Sequence, residues 1–485
     1  MDGEGLIWVI VVVVNILFSI IGRLLKGRAK ARAPKVDHAA IVAQARARMQ
    51  ACMDAGAQAH ALAAEAKPWI DPLGHPWSML ADRLGDAMAA LEESESEMVE
   101  LWASMQTMAP EQAARLWIHS DVVERAEQRV LQIQADVHAI HSAGSHRVGV
   151  HETCETLESA LQGMLDPLHH FAMTYGITLS LMPPVIIPRH REEAEIDREH
   201  WRTLLGAHQP IISLDTLTLS EPASVLYAVS QLAEELVALC PGWRAAFESV
   251  ANEGANAPLY APWLPTLVAD VLTTVWLGPG ALRGWASALG RPDAPEMVVT
   301  LDGAQPPAHL RITLMAHVLH RMGFARVVRP IMTQWRGAHR RPRFFVDPTT
   351  EEEWQVDTVI HQYAGAVDAI YGAGLPPLAG HGLNAIPGWS MSVPRWKRVE
   401  GVKKALTEGR PARRAGGASV VIAAGLEVAY GTGLTNEIAM RRVMRLLEKG
   451  GQGGSASARR GKGRAQGGAS LVREAILLRA CLASR

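Results

Sequence analysis

Cysteine is scarce in this chain. The four present, Cys52, Cys154, Cys240 and Cys481, lie far apart and form no C-x-x-C pair. That spacing gives neither a disulfide framework nor a thiolate zinc centre, and it fits a reducing compartment. Net charge is just as scarce. Forty-eight Lys and Arg against 49 Asp and Glu leave −1, so the molecule as a whole carries no signal for nucleic acid or for an acidic substrate. Phosphate-binding loops are absent too: the chain contains no G-x-x-x-x-G-K-[ST] and no G-x-G-x-x-G, and "LGPGALRGW" holds only a G-P-G. The G-x-S-x-G elbow of serine hydrolases is missing. No internal repeat is visible.

What is present is a chain of 485 residues, 48% hydrophobic and 20% charged. That composition excludes a disordered polymer and suits two or three domains with sizeable cores. One long apolar run stands at the N-terminus, "LIWVIVVVVNILFSII" (Leu6 to Ile21). With Gly5 and Gly22 it reaches about 18 residues, near the lower limit for crossing a hydrocarbon core. Arg23, Lys26, Arg28, Lys30, Arg32 and Lys35 follow it, and only Asp2 and Glu4 precede it. A secretory signal has the reverse order of charge, so the expectation is an uncleaved single-pass anchor in the membrane with a cytoplasmic body. The basic flank suits anionic lipid headgroups.

The rest of the chain predicts a mainly α fold: an N-terminal transmembrane helix, a helical bundle, a zincin-like helical domain and a helical C-terminal region. The boundaries read as 1–35 for the anchor, 36–182 for the bundle, 195–345 for the second domain and 350–449 for the C-terminal helices. Residues 450–485 form a flexible basic linker and a short terminal helix. In the bundle, four helices of roughly 25 to 35 residues are expected, the last two separated by a turn between Gly144 and Gly149. Their heptads look too irregular for a long coiled coil. The Pro-rich, charged "LMPPVIIPRHREEAEIDREH" reads as the interdomain connector, and Arg336 to Trp354 as a surface excursion.

The stretch that bears on chemistry is "LYAVSQLAEELVALCPGW" (Leu226 to Trp243). It is an apolar helix by periodicity, with Leu226, Val229, Ala233, Leu236 and Val237 forming one stripe. Ser230 and Glu234, four apart, share another face. A zinc hydrolase carries H-E-x-x-H at such a place: two His at i and i+4 hold the metal, and the Glu beside the first acts as general base. Further on come "WLPTLVADVLTTVWLGPGAL", "QPPAHLRITLMAHVLHRMGF" and "GLPPLAGHGL".

In this order the four pieces resemble a family of uncharacterised bacterial metallopeptidase-like proteins of the H-E-x-x-H type, over roughly half the chain. The family pattern is H-E-x-x-H before a Pro-Gly-Trp stretch, then E-x-x-A-D and L-G-P, then H-P-P-x-x-L-R and a proline-glycine loop. The resemblance implies that Ser230 stands at the first His position, Gln231 at the base position and Glu234 at the second His position. Thr266 stands at the third-ligand Glu position, four residues before Asp270, and Gln305 at the His of H-P-P. The zinc and base positions are thus replaced, and no metal or other cofactor is expected.

The expected function is a membrane-anchored cytoplasmic scaffold or adaptor on a catalytically inactive domain. Its partners would be membrane lipids through the anchor and proteins of unknown identity, without nucleic acid. Two alternatives stand beside it. One is a membrane-bound metal-dependent peptidase with a rearranged site, using Glu234, Glu235, Asp270 or bundle histidines. The other is a lipid- or nucleic-acid-binding protein acting through the basic runs "RGAHRRPR" and "ARRGKGR". His151 and Glu155 of "HETCE" also share a helix face, with His169 and His170 further along. No third ligand accompanies them, and chance surface histidines are the commoner meaning.

Overall fold

The structure is a computed structural model. It describes residues 37–70, 73–74, 76–179, 181–190, 196–255, 259–289, 298–300, 305–339, 341–346, 351–412, 416–432 and 434–455. Fifteen α-helices and five short strands make up these residues, so the fold is mainly α. The apolar run 6–21 and the tail beyond 455 lie outside them. No single described helix is long and apolar enough to cross a membrane.

The chain divides into two compact units, 1–63 with 84–135, and 64–83 with 136–485. Parts of four helices build the first: α1 (His38–Ile70), α2 (Ser78–Gln106), α3 (Pro110–His119) and α4 (Val122–Tyr175). Its buried residues run Ala45, Met49, Cys52, Ala59 and Ala63 on α1, and Leu84, Leu91, Met98 and Met105 on α2. Those on α4 are Val123, Ala126, Val130 and Ile133. These spacings of three, four and seven are the seam of a left-handed helical bundle. The sequence hides the seam because α1 is rich in alanine on every face, so buried and exposed alanines look alike. Arg46 over Trp102 and His60 against Glu95 set α1 antiparallel to α2. Arg125–Glu97 and Arg129–Glu93 do the same for α2 and α4.

Two expectations about these helices change. The third expected helix breaks at Ser120, which takes an extended conformation and caps α3. The expected turn at Gly144–Gly149 is helix, kinked at Val150 (φ −127°, ψ 15°). Gly144 serves close packing: a Cβ there would sit 3.2 Å from the Trp69 Cβ. Gly149, beside Val150, offers no Cβ to stiffen the bend.

In the second unit, the expected connector forms a buried strand. β1 (Val185–Arg189) pairs in parallel with β2 (Ile211–Asp215), in the register Val185 to Ile211. Val185, Ile186 and Ile187 are apolar enough to be buried on both faces, and among the described residues β1 has one strand neighbour, so Pro188 costs little. α5 (Arg198–Leu205) lies between the strands, capped by Asp197. Then come α6 (Pro222–Leu239), α7 (Trp243–Gly254), α8 (Leu264–Leu277) and α9 (Pro279–Ala288). β3 (Val298–Thr300), α10 (Ala308–Arg321), α11 (Ala325–Ala338), β4 (Phe344–Val346) and β5 (Glu353–Gln355) follow.

The expected surface excursion is therefore partly structural: β4 joins β3 in parallel and β5 antiparallel, and Phe345 is fully buried. The unit closes with α12 (Val356–Gly372), α13 (Val393–Glu408), α14 (Ala418–Gly431) and α15 (Asn436–Ser455). α15 runs six residues into the expected linker, to Ser455. One hydrophobic core extends from Cys154 to Leu447. It crosses the boundaries expected near 182–195 and 345–350, because the second half of α4 and the C-terminal helices bury their apolar faces in the same core.

α8 sits at the centre of this unit. Leu264 and every residue from Thr266 to Leu277 are buried. Gly278 ends it at φ 60°, and a Cβ there would lie 2.7 Å from the Met391 Cγ. The L-G-P turn thus needs glycine for both its backbone and its neighbour. Trp389 stacks between Trp276 at 5.8 Å and Trp243 at 6.3 Å. The aromatic residues of the Pro-Gly-Trp and L-G-P segments are thereby fixed to one point.

Candidate functional site

α6 and α8 build the candidate site. Pro222 opens α6 and the Cys240-Pro241-Gly242 turn closes it, with Gly242 at φ 76°. Between them, Leu226, Val229, Ala233, Leu236 and Val237 are all buried, and α6 packs directly on α8. The apolar stripe read from the sequence is the packing face.

α6 carries two polar strips, each with i, i+4 spacing. Gln231 and Glu235 reach the outer edge of β2. Gln231 Oε1 accepts from the Ser213 N–H at 2.8 Å, and its Nε2 donates to the Ser213 carbonyl at 2.7 Å. Glu235, 1% exposed, accepts from the Ile211 N–H at 3.0 Å. Two side chains thus stand where a third strand would pair, and the edge is closed to a peptide adding there. Ser230 and Glu234 form the other strip. Ser230 is buried, as is Thr266 on α8. Glu234 keeps 28% of its side chain exposed, and it lines a cleft of about 80 Å³ with Val237, Arg244, Phe247, Leu264 and Val268.

Arginines occupy the acidic groups. Arg198 donates to Glu234 at 3.2 Å, to Glu235 at 3.2 Å and to Gln231 at 3.3 Å. Arg202 holds both Glu235 oxygens at 2.8 and 2.9 Å. On α8, Asp270 accepts a bidentate pair from Arg311 of α10, both bonds 2.8 Å. The Arg311 guanidinium lies 4.5 Å from the Trp285 ring and reaches Gln305 at 3.4 Å. Burial raises the Asp270 carboxyl, and Arg311 works against that rise. Burial likewise raises Glu234, opposed by Arg198 and reinforced by Asp270.

The structure places the six sequence-derived positions on α6, on α8 and just before α10, within the second unit. Asp270 and Gln305 meet through Arg311, and Glu234 feels the charges of Asp270 and Arg311. Ser230 and Thr266 lie buried on the two packed helices. Gln231 departs from the rest and faces β2. Three residues of this region escaped the sequence: Arg198, Arg202 and Arg311. The first two lay at the end of a segment read as a connector. Arg311 lay inside a quoted motif, and its signal was the arginine of H-P-P-x-x-L-R.

Glu234 gives a pH test with a definite sign. Its folded-state affinity for a proton exceeds the unfolded one. Stability should fall as pH rises from the ordinary carboxylate value through the raised folded value, because the unfolded chain loses its proton first. Glu234→Gln removes that slope. Melting midpoints across the acidic range should converge for the two proteins at low pH, with the variant at least as stable at neutral pH. A parallel pair of curves would contradict the assignment.

The other candidates hold less. His151 pairs with Glu155 at 3.1 Å along α4. Among the described residues, no three His, Cys, Asp or Glu side chains are placed to hold a metal ion. Cys52, Cys154 and Cys240 are buried free thiols, and burial pushes Cys154 and Cys240 up to about 12.

The class that fold and site define is a mainly helical protein in which a central buried helix, an edge-capping helix and a set of arginine–carboxylate locks meet. Comparison with protein-family models, with curated proteins and with solved structures finds no match to this chain.

Proposed function

We propose that the chain is a membrane-anchored scaffold or adaptor whose residues 195–345 form a catalytically inactive, zincin-like relative of the H-E-x-x-H metallopeptidases. The observation that carries this reading is how the groups at the site are engaged. The base position, Gln231, is an amide held at both its polar atoms by Ser213. An amide has no basic carboxylate with which to activate water. The hydroxyls of Ser230 and Thr266 are poor zinc ligands. Glu234 and Asp270 are held by arginines, whose positive charge opposes a cation beside them. The residues present do not fit a catalytic zinc. The anchor is assigned to residues 6–21 on composition and on the basic flank behind them.

Metal analysis of the purified full chain tests the reading. The expected content is far below one equivalent of zinc, with no release of fluorescence from a quenched peptide library. Close to one tightly held equivalent, removed only by strong chelators, would sink it. Topology is tested separately. Deleting residues 1–35 should move the protein to the soluble fraction, and a reporter at the C-terminus should register the cytoplasm. A truncated protein that still needs detergent for extraction would overturn the anchor.

A further inference from the structure

We propose that the groove between α10 and α11 is a binding site for a phosphate ester carrying hydroxyl groups, either a soluble polyol phosphate or the headgroup of a lipid. The two helices form a hairpin through Met322, Gly323 and Phe324, with Gly323 at φ 87°. The groove between them has a volume of about 370 Å³. Thr313, His317 and His320 line it from α10, and Arg329, Thr333 and Arg336 from α11. On α11 these fall at i, i+4 and i+7, a single face. Buried Val328 and Met332 form the floor.

The charge is one-sided. Asp368 is the nearby carboxylate, and it is engaged by His317 at 3.0 Å and Arg321 at 3.3 Å. Among the described residues, no carboxylate forms an ion pair with Arg329, Arg336 or His320, and all three are exposed. Two guanidiniums on one face of a helix repel each other unless an anion lies between them. The positive field reaches half-buried His309, whose ring is held down to about 4 by burial first, and then by Arg341, Arg336 and His339. An arginine fork matches phosphate oxygens, which makes phosphate a better fit than a halide. The threonines add the second half of the chemistry. Thr313 and Thr333 donate their hydroxyl protons to the backbone carbonyls of His309 and Arg329, at 2.7 and 2.9 Å. Their lone pairs are left to accept from a ligand hydroxyl. The volume exceeds that of a bare phosphate and leaves room for a polyol.

The test uses the full chain in detergent micelles and isothermal titration with two probes, myo-inositol 1-phosphate and dihexanoyl phosphatidylinositol. Both are repeated on Arg329→Gln/Arg336→Gln, and free myo-inositol serves as the uncharged control. The expected result is binding of at least one probe, weakened about tenfold or more in the double variant, with no binding of myo-inositol. Binding of the soluble phosphate assigns a small-molecule ligand, and binding of the lipid form alone assigns a headgroup. No binding of either probe at millimolar concentration overturns the site, as does equal binding by wild type and variant. Both arginines are solvent-exposed, so the variant should fold. If its melting midpoint drops, exposed His320→Gln supplies the same comparison.

Discussion

Replacing Arg311 with Met is expected to lower the stability of the chain by about 3–5 kcal/mol at neutral pH, the cost of leaving one member of a buried ion pair without its partner. The pair is well placed to show this. Arg311 and Asp270 side chains are 7% and 4% exposed, and their two hydrogen bonds are parallel and 2.8 Å long. Without the guanidinium, Asp270 must either keep a charge in an apolar core or take up a proton. Its folded-state proton affinity then rises further above the unfolded one. The deficit should shrink as pH falls and grow as pH rises through that window. Wild-type stability should show less of this slope.

The double variant Asp270→Leu/Arg311→Met separates pair from packing. Removing both charges restores a consistent apolar interior, and it is expected to be more stable than Arg311→Met alone. Denaturant unfolding of the four proteins gives the coupling energy. Additive effects would mean that the bidentate pair is not what holds α8 to α10.

Grafting Ser230→His, Gln231→Glu, Glu234→His and Thr266→Glu into the full chain is expected to create zinc binding of micromolar affinity or tighter. The warrant is geometric. Residues 230 and 234 share one face of α6, and residue 266 lies on α8, against which that helix packs. The metal-free variant should be less stable than the wild type. Ser230 and Thr266 are 5% and 6% exposed, and each enlarged side chain costs about 1–3 kcal/mol in a filled interior. Gln231→Glu adds to this, because an ionised carboxylate cannot donate to the Ser213 carbonyl. That loss is worth about 1–3 kcal/mol. Zinc at a thousand times its Kd should return about 4 kcal/mol, raising the melting midpoint reversibly on addition of metal and lowering it with chelator. A triple variant that keeps Gln231 should bind zinc and lack a general base. Folded variants that take up no zinc would mean that the three positions do not converge, and the resemblance to the metallopeptidase-like family would fail with them.

Much of the site's frame was legible in the residues. The stripe from Leu226 to Val237 specified a buried helix, and the i, i+4 relation of Ser230 and Glu234 specified a shared face. These features are local: helical periodicity acts within a few residues, so a single chain displays them. The bundle was less legible. Its seam on α1 runs mostly through alanines, with Met49 and Cys52, and apolar periodicity fades when the buried and exposed residues have the same character.

By itself, then, the sequence determined that the chain is mainly helical, that Leu226 to Val237 form a buried helical stripe, and that Ser230 and Glu234 share a face beside Gln231. Only the tertiary structure decided what those groups do. Arg311 meets Asp270 across 41 residues, and Arg198 meets Glu234 across 36. Gln231 closes the edge of β2 through Ser213. An ion pair needs only opposite charges brought within a few ångströms, and no spacing in the chain announces which arginine will arrive. Among 48 basic and 49 acidic residues, the partners are chosen by how the helices pack, and packing is fixed by the apolar faces, not by the charges that end up between them.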